Sequence, residues 1–328
     1  MFGRTADRLR TFFSVPRNRN ITLLVLVLLV LSAIIQVPEP HVSLAAEPIL
    51  SQGPRWLTNS LVTTLVVDVV ILAMALAAVI GMKEVPSGWQ NVMEMLVEGI
   101  HNLTENVSGH GTVWTKRFFP WVMTIFIYVL VSNYIGLLPG VGSIGFYHPA
   151  EGAKKEAVLV EEVAQDPDMG DGVLAASVPV GAPAEDKAKE VFIPLFRAPS
   201  ADLNMTFALA IISVVMTQVF GYQALGGKYF KKFFNFGGKG FLGVIQAVVG
   251  ILELILEFAK IISFSFRLFG NIFAGEVLLF VMAFLVTFLV PIPFYGLELF
   301  VGFIQALVFM LLTLVFFTMA TVSHDEHH

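Results

Sequence analysis

The sequence predicts an all-α integral membrane protein with five core transmembrane helices, and three observations carry that prediction. Of 328 residues, 56% are hydrophobic and only 14% charged, with a mean hydropathy of +0.78, where soluble domains carry about 25% charge. Five apolar runs are each long enough to cross about 30 Å of hydrocarbon, which takes about 20 residues. The loops between them separate their charges, lysines to one side and acids to the other. Thirty phenylalanines against six tyrosines fit lipid-facing surface, and a net charge of −5 argues against a nucleic-acid partner. Without cysteine there is no disulfide framework, thiolate metal site or Cys nucleophile.

The chain opens with Arg4, Arg8, Arg10, Arg17 and Arg19, then an apolar run over 21–35, then Pro38, Pro40 and Ser43-Leu44-Ala45-Ala46. Fifteen apolar residues suit a signal-peptide core, and Ser43-Leu44-Ala45 is a tolerable cleavage site; an uncleaved extra helix is the competing reading. Both stay open, so residues 1–45 are set apart as signal peptide or extra transmembrane helix, and 46–328 form the membrane domain. The first main span covers 61–80. Residues 85–109 then place Trp89, Val92, Met93, Leu96, Ile100 and Leu103 at helical spacing among Glu94, Glu98 and Glu105. That pattern predicts an amphipathic helix along the cytoplasmic interface, with a soluble helical hairpin as the alternative.

The second span covers 118–138. Between Gly140 and Asp202 stand eleven acids and five bases among many Pro, Gly and Ala, which predicts an external, loosely structured insertion over about 141–200. Short helices are expected near 154–165 and 184–191. The third span covers 203–225. Lys228, Lys231, Lys232 and Lys239 follow with no acid among them, and Lys83, Lys116 and Arg117 flank another loop, so both loops and the C-terminus are expected in the cytoplasm. The fourth run, 241–290, would make a helix of about 75 Å, more than twice the bilayer, so it must tilt strongly or break. The fifth covers 294–321, and Pro291-Ile292-Pro293 between them reads as the turn of a long slanted hairpin.

An isolated charge at the bilayer centre costs about 2.5 to 3.5 kcal/mol, so charges in these last runs are functional candidates. Glu253, Glu257, Lys260, Arg267 and Asn271 recur at spacings that form one stripe down one helix face. Glu276, nine residues beyond Arg267, lies on the opposite face and about 13 Å further along. Glu298 and Gln305 are seven apart on the last helix, hence on one face. Counting inward from the proline turn puts Glu298 near the depth of Glu276, and Gln305 near that of Arg267. The outer carboxyls can accept and release protons. Arginine, with a pKa above 12, cannot pass its proton on, but it can attract a carboxylate and block leakage between two aqueous paths. Glu253, Glu257 and Lys260 either line a second path on the cytoplasmic side or reach the interface by snorkelling.

At these residues a resemblance becomes specific. Arg267-Leu268-Phe269-Gly270-Asn271-Ile272-Phe273-Ala274-Gly275-Glu276 resembles the signature of the ATP synthase subunit a family. Further matches keep the family's order: Pro199-Ser200-Ala201-Asp202-Leu203-Asn204, Asn133 with Leu137-Leu138-Pro139, and Gln305-Ala306 followed by Phe309-Met310-Leu311-Leu312-Thr313. The similarity runs from about Trp56 to Ser323, outside the insertion. It implies a bacterial-type, proton-conducting stator of the Fo sector in the plasma or inner membrane, not catalytic by itself. Its implied partners are a c-subunit ring, the b-subunit peripheral stalk, the other F-type subunits and lipid; no cofactor and no metal are implied. Arg267 would be the essential arginine facing the ring carboxylate, with Gln305 and Asn271 nearby. Glu276 and Glu298 would line the external half-channel, Asn133 would be a polar position of the preceding span, and Glu253 and Lys260 would serve cytoplasmic access. The chain departs from many similar bacterial members in having Glu at both outer positions rather than an acid and a histidine, and Gly136 where some carry an acid.

Other motifs are weak. Gly140-Val141-Gly142-Ser143-Ile144-Gly145 matches a dinucleotide pattern but follows a membrane span, so it reads as a loop. The tail His324-Asp325-Glu326-His327-His328 reads as solvated rather than metal-binding. A secondary transporter acting alone would show internal repeats, and none is evident. A membrane-embedded enzyme would need a metal or nucleophile constellation at depth, and none of the seven histidines falls in a predicted span.

Overall fold

The computed structural model describes residues 16–34, 43, 45–49, 54, 56–80, 82–109, 113–149, 190–233, 241–287 and 290–322. The helices are α1 (Pro16–Ile34), α2 (Asn59–Val79), α3 (Trp89–Ser108), α4 (Val113–Gly136), α5 (Leu203–Leu225), α6 (Phe241–Leu285) and α7 (Pro291–Thr321). Five stretches are long and apolar enough to cross a membrane: Asn59–Val79, Val113–Gly136, Leu203–Phe230, Val248–Leu285 and Pro291–Thr321. These are the five expected spans, and the all-α membrane class stands.

Local chemistry sets the ends. Thr58 caps α2 by accepting from the Leu61 amide at 3.3 Å, and Asp202 caps α5 by accepting from the Asn204 amide at 3.0 Å. The long fourth run does not break: α6 is one helix of 45 residues, about 68 Å from end to end. Pro291-Ile292-Pro293 is not the turn but the first turn of α7, where a missing N–H costs nothing because that donor has no helical partner. The reversal therefore lies between Leu285 and Pro291.

The core is built between α4 and α7, with α5 and α6 packed alongside. Phe118, Phe220 and Phe317 form a triangle of rings with centroids 5.0, 5.5 and 4.8 Å apart. Val122, Val129, Met310 and Leu314 are buried around it. Hydroxyls join the helices where apolar contact stops: Ser213 and Thr313 lie 2.8 Å apart, and Thr206 and Ser265 3.0 Å. Helix α2 contributes little, since only Asn59, Ser60, Thr63 and Val67 are buried. Its Leu65, Val69, Leu72 and Leu76 face outward, as a lipid-facing helix requires.

The amphipathic segment forms α3, which packs against α2, α4 and α7 with Ile100 and Thr104 buried. The described ends of the insertion are ordered, contrary to the expectation of loose structure. Strands β1 (Pro139–Gly142), β2 (Gly145–Pro149) and β3 (Glu190–Pro194) follow α4, and β2 pairs antiparallel with β3 from Gly145 opposite Pro194 to Pro149 opposite Glu190. Glycine is required at 145 because a Cβ there would overlap the Ile193 carbonyl. A 3-10 turn at Pro199–Ala201 then buries all three of its residues against the ends of the helices. No helix follows the glycine pattern at 140–145 among the described residues, and the pattern is not a loop throughout: it runs through β1, a two-residue turn and the first residue of β2. The short helix expected near 154–165 and the histidine tail lie outside the described residues; of the one expected near 184–191, only Glu190 and Val191 are described, and they pair with β2 as the start of β3, so a helix does not form there.

Candidate functional site

Helix α6 has two faces around its arginine. Phe264, Leu268 and Ile272 are buried in the bundle at 3%, 1% and 5% exposure, while Arg267 and Asn271, one turn apart, are exposed. Among the described residues Arg267 makes no ion pair and no side-chain hydrogen bond. A guanidinium that cannot lose its charge thus stands on the surface of a membrane helix without a carboxylate partner among the described residues.

Two contacts fix how α6 and α7 run past each other. The Phe264 and Phe309 rings meet with centroids 5.1 Å apart. Eleven residues further along α6, Gly275 meets Glu298, which lies eleven residues back along α7. The pair is therefore antiparallel, with Gln305 at the level of Leu268, next to Arg267, and Glu298 at the level of Glu276. This is the depth matching expected from the sequence. Gln305 is half-buried and Glu298 buried.

At the turn end of the bundle the polar groups converge. The Glu298 carboxyl lies against the bare Cα of Gly275. Asn133 on α4 is 3% exposed and donates from Nδ2 to the Gly302 carbonyl at 2.9 Å, one turn beyond Glu298. Gly302 permits this approach, since a Cβ there would come within 3.2 Å of the Asn133 Cβ. The Asn133 Oδ1, Ser132 Oγ and Glu276 Oε2 are buried without a hydrogen-bond partner among the described residues. Gly136, at the end of α4, lies so close to Ala198 that a side chain would overlap it, which accounts physically for glycine at that position.

Sequence reasoning missed Arg197, which it counted among the bases of a solvated loop. The residue is 5% exposed. Its Nε lies 3.6 Å from Glu276 Oε2, its Nη1 and Nη2 donate to the carbonyls of Ala45 and Ser43 at 2.9 and 2.7 Å, and its guanidinium carbon stands 5.9 Å from the centroid of the Phe273 ring. One signal could have found it: a base directly before the third span, on the side where the positive-inside rule expects few.

The remaining candidates sit apart, toward the lysine-loop end. Lys260 is seven residues, about 10 Å, from Arg267. Its Nζ pairs with Glu257 Oε1 at 2.9 Å and stands 4.8 Å from the centroid of the Phe316 ring. Glu257 is buried and Glu253 half-buried. Thus Glu276, Glu298, Asn133 and Arg197 form one cluster, Lys260 and Glu257 another, and the Arg267 surface lies between their levels.

Known proteins have similar sequences. The family model described as ATP synthase A chain matches residues 60–318. The ATP synthase subunit a of Geotalea uraniireducens (strain Rf4) is 30% identical over 258 residues, 79% of this chain and 85% of that protein. The subunit a of Syntrophobacter fumaroxidans is 30% identical over 269 residues, covering 81% and 86%. That of Campylobacter jejuni subsp. doylei is 29% identical over 261 residues, covering 80% and 89%. With its five spans, its exposed intramembrane arginine and a match across most of its length, the chain belongs to the ATP synthase A chain family, the a subunits of ATP synthase.

Proposed function

We propose that this subunit is the proton-conducting stator of the Fo sector, exchanging protons with a ring of c subunits through two half-channels that end on either side of Arg267. The observation that carries the proposal is the exposure of Arg267 and Asn271 without a carboxylate partner among the described residues. A permanent cation in hydrocarbon needs an anion, and a carboxylate passing on a neighbouring ring supplies one. Gln305, half-buried at the adjacent level of α7, helps hold the arginine face in order.

In this reading the turn end faces outside and the lysine-loop end faces the cytoplasm. A proton enters past Glu298, Glu276 and Asn133, and the Glu276 Oε2 and Asn133 Oδ1, without hydrogen-bond partners among the described residues, support a short hydrogen-bonded water path. It neutralises a ring carboxylate released from Arg267, rides the ring round, and leaves past Lys260 and Glu253. Arg267 blocks the direct route because it holds its proton. Nucleotide chemistry belongs to partner subunits, and the b-subunit stalk holds this chain against rotation. Residues 46–328 make the membrane domain, and residues 1–45 precede it as a leader or an added helix; α1, with arginines at its start, suits the second role.

Arg267→Ala in reconstituted vesicles is expected to abolish ATP-driven acidification while the complex still assembles. Normal acidification by that variant would refute the role. Co-purification with a small two-helix proteolipid tests the partnership, and a transporter acting alone would instead move ions without it.

A further inference from the structure

The turn end of the bundle holds a second arginine, this one buried, and its polar contacts differ in kind. The two terminal nitrogens of Arg197 are occupied by the main-chain carbonyls of Ala45 and Ser43 at 2.9 and 2.7 Å. Only the Nε edge turns to Glu276, at 3.6 Å, too long for a direct hydrogen bond. A bidentate fork would lock a carboxylate; this arrangement attracts it without filling its acceptor sites. The arginine itself is held firmly. Its amide donates to Thr63 Oγ1 at 3.1 Å, and the buried Asn59 ties the same region together, donating to the Pro194 carbonyl at 3.3 Å and accepting from the Glu47 amide at 3.2 Å. The Asn59 amide also donates to the Glu47 carbonyl at 3.0 Å, and the Ile49 amide to the Leu57 carbonyl at 3.2 Å.

We propose that Arg197 is a positioning residue for proton entry: its guanidinium holds the Glu276 carboxyl in place while leaving it open to exchange, and Ser43, Ala45 and Glu47 belong to the wall that holds Arg197. The inference rests on the reading of Glu276 as a relay group. It adds two things to that reading. Flow through the outer half-channel depends on a charge contributed from the loop before α5, and the segment ahead of α2 is part of the channel rather than a discarded leader.

The test uses whole ATP synthase in membrane vesicles with the catalytic head removed, comparing passive proton flow in Arg197→Gln, Arg197→Lys, Glu276→Gln and Arg197→Gln/Glu276→Gln. Arg197→Gln is expected to slow flow about tenfold, the effect of removing one charged partner of a buried carboxyl. Arg197→Lys should recover most of it, because the charge returns, and the double variant should be no slower than Glu276→Gln alone. Wild-type flow in Arg197→Gln, or single effects that multiply in the double variant as independent sites do, would overturn the proposal. If Glu276→Gln itself flows normally, the relay reading fails first, and that outcome is distinct. Should Arg197→Gln assemble poorly, Arg197→Lys measured with Glu276 and with Glu276→Gln makes the same decision. An intact mass of the subunit in the native complex gives a variant-free check: a chain beginning at residue 46 lacks both carbonyls and would overturn the wall.

Discussion

The contact between Gly275 and Glu298 makes the outer pair sensitive to a single methyl group. A Cβ at Gly275 would overlap the carboxyl carbon and both oxygens of Glu298. Glu298 is 6% exposed, and the atoms that the methyl would meet are the end of its flexible side chain, so the carboxyl must swing away from α6 within a closely packed site. Overpacking of this kind costs about 1 to 3 kcal/mol. At about 1.4 kcal/mol per factor of ten, Gly275→Ala should deplete the native placement of the carboxyl about five- to a hundredfold. Passive proton flow in head-stripped vesicles should fall in that range, with the amount of assembled subunit checked in the same membranes. Gly296→Ala is the control, because a Cβ there meets nothing within 4 Å. Gly275→Ala/Glu298→Asp should recover part of the flow, since the shorter side chain withdraws the carboxyl by one methylene. Wild-type flow in Gly275→Ala would refute the placement of Glu298 on the α6 surface and with it the depth matching of the two helices.

Three further outcomes follow from named contacts. Asn133→Leu loses the 2.9 Å bond to the Gly302 carbonyl between α4 and α7, and should lower the stability of the complex by about 1 to 2 kcal/mol, read as an earlier denaturation midpoint in detergent. Asn59→Ala removes the side-chain tie to Glu47 and Pro194, so amide exchange over 45–49 should accelerate about tenfold while exchange in α7 stays unchanged. Gly221→Ala would drive a Cβ into the Tyr229 ring, whose hydroxyl donates to Gln218 at 2.8 Å; it should destabilise by about 1 to 3 kcal/mol, and a neutral thermal midpoint would contradict the packing.

Most of the helices were legible because a bilayer demands continuous apolar runs with every backbone group satisfied inside the helix. The third predicted span matches α5 at both ends, and the intramembrane charges on α6 stood out because each is costly there. The proline turn was misplaced because proline ends one helix and begins the next equally well, and only the path of the chain decides which. The order at the ends of the insertion is not legible in the sequence because β2 and β3 are separated by an acidic, alanine-rich stretch, and strand pairing is nonlocal.

The sequence alone determined the membrane class, the five spans, the family resemblance and the level of each charge along its own helix, since hydropathy and helical rise are local properties. Which levels meet across helices was decided by tertiary structure. Glycines at 136, 275 and 302 let Ala198, Glu298 and Asn133 approach closely, and no periodicity reports a contact between segments so far apart in the chain. The same holds for Arg197: a base in an acidic loop becomes a buried partner of Glu276 only because the segments around Ser43, Thr63 and Pro194 fold together over the end of α6.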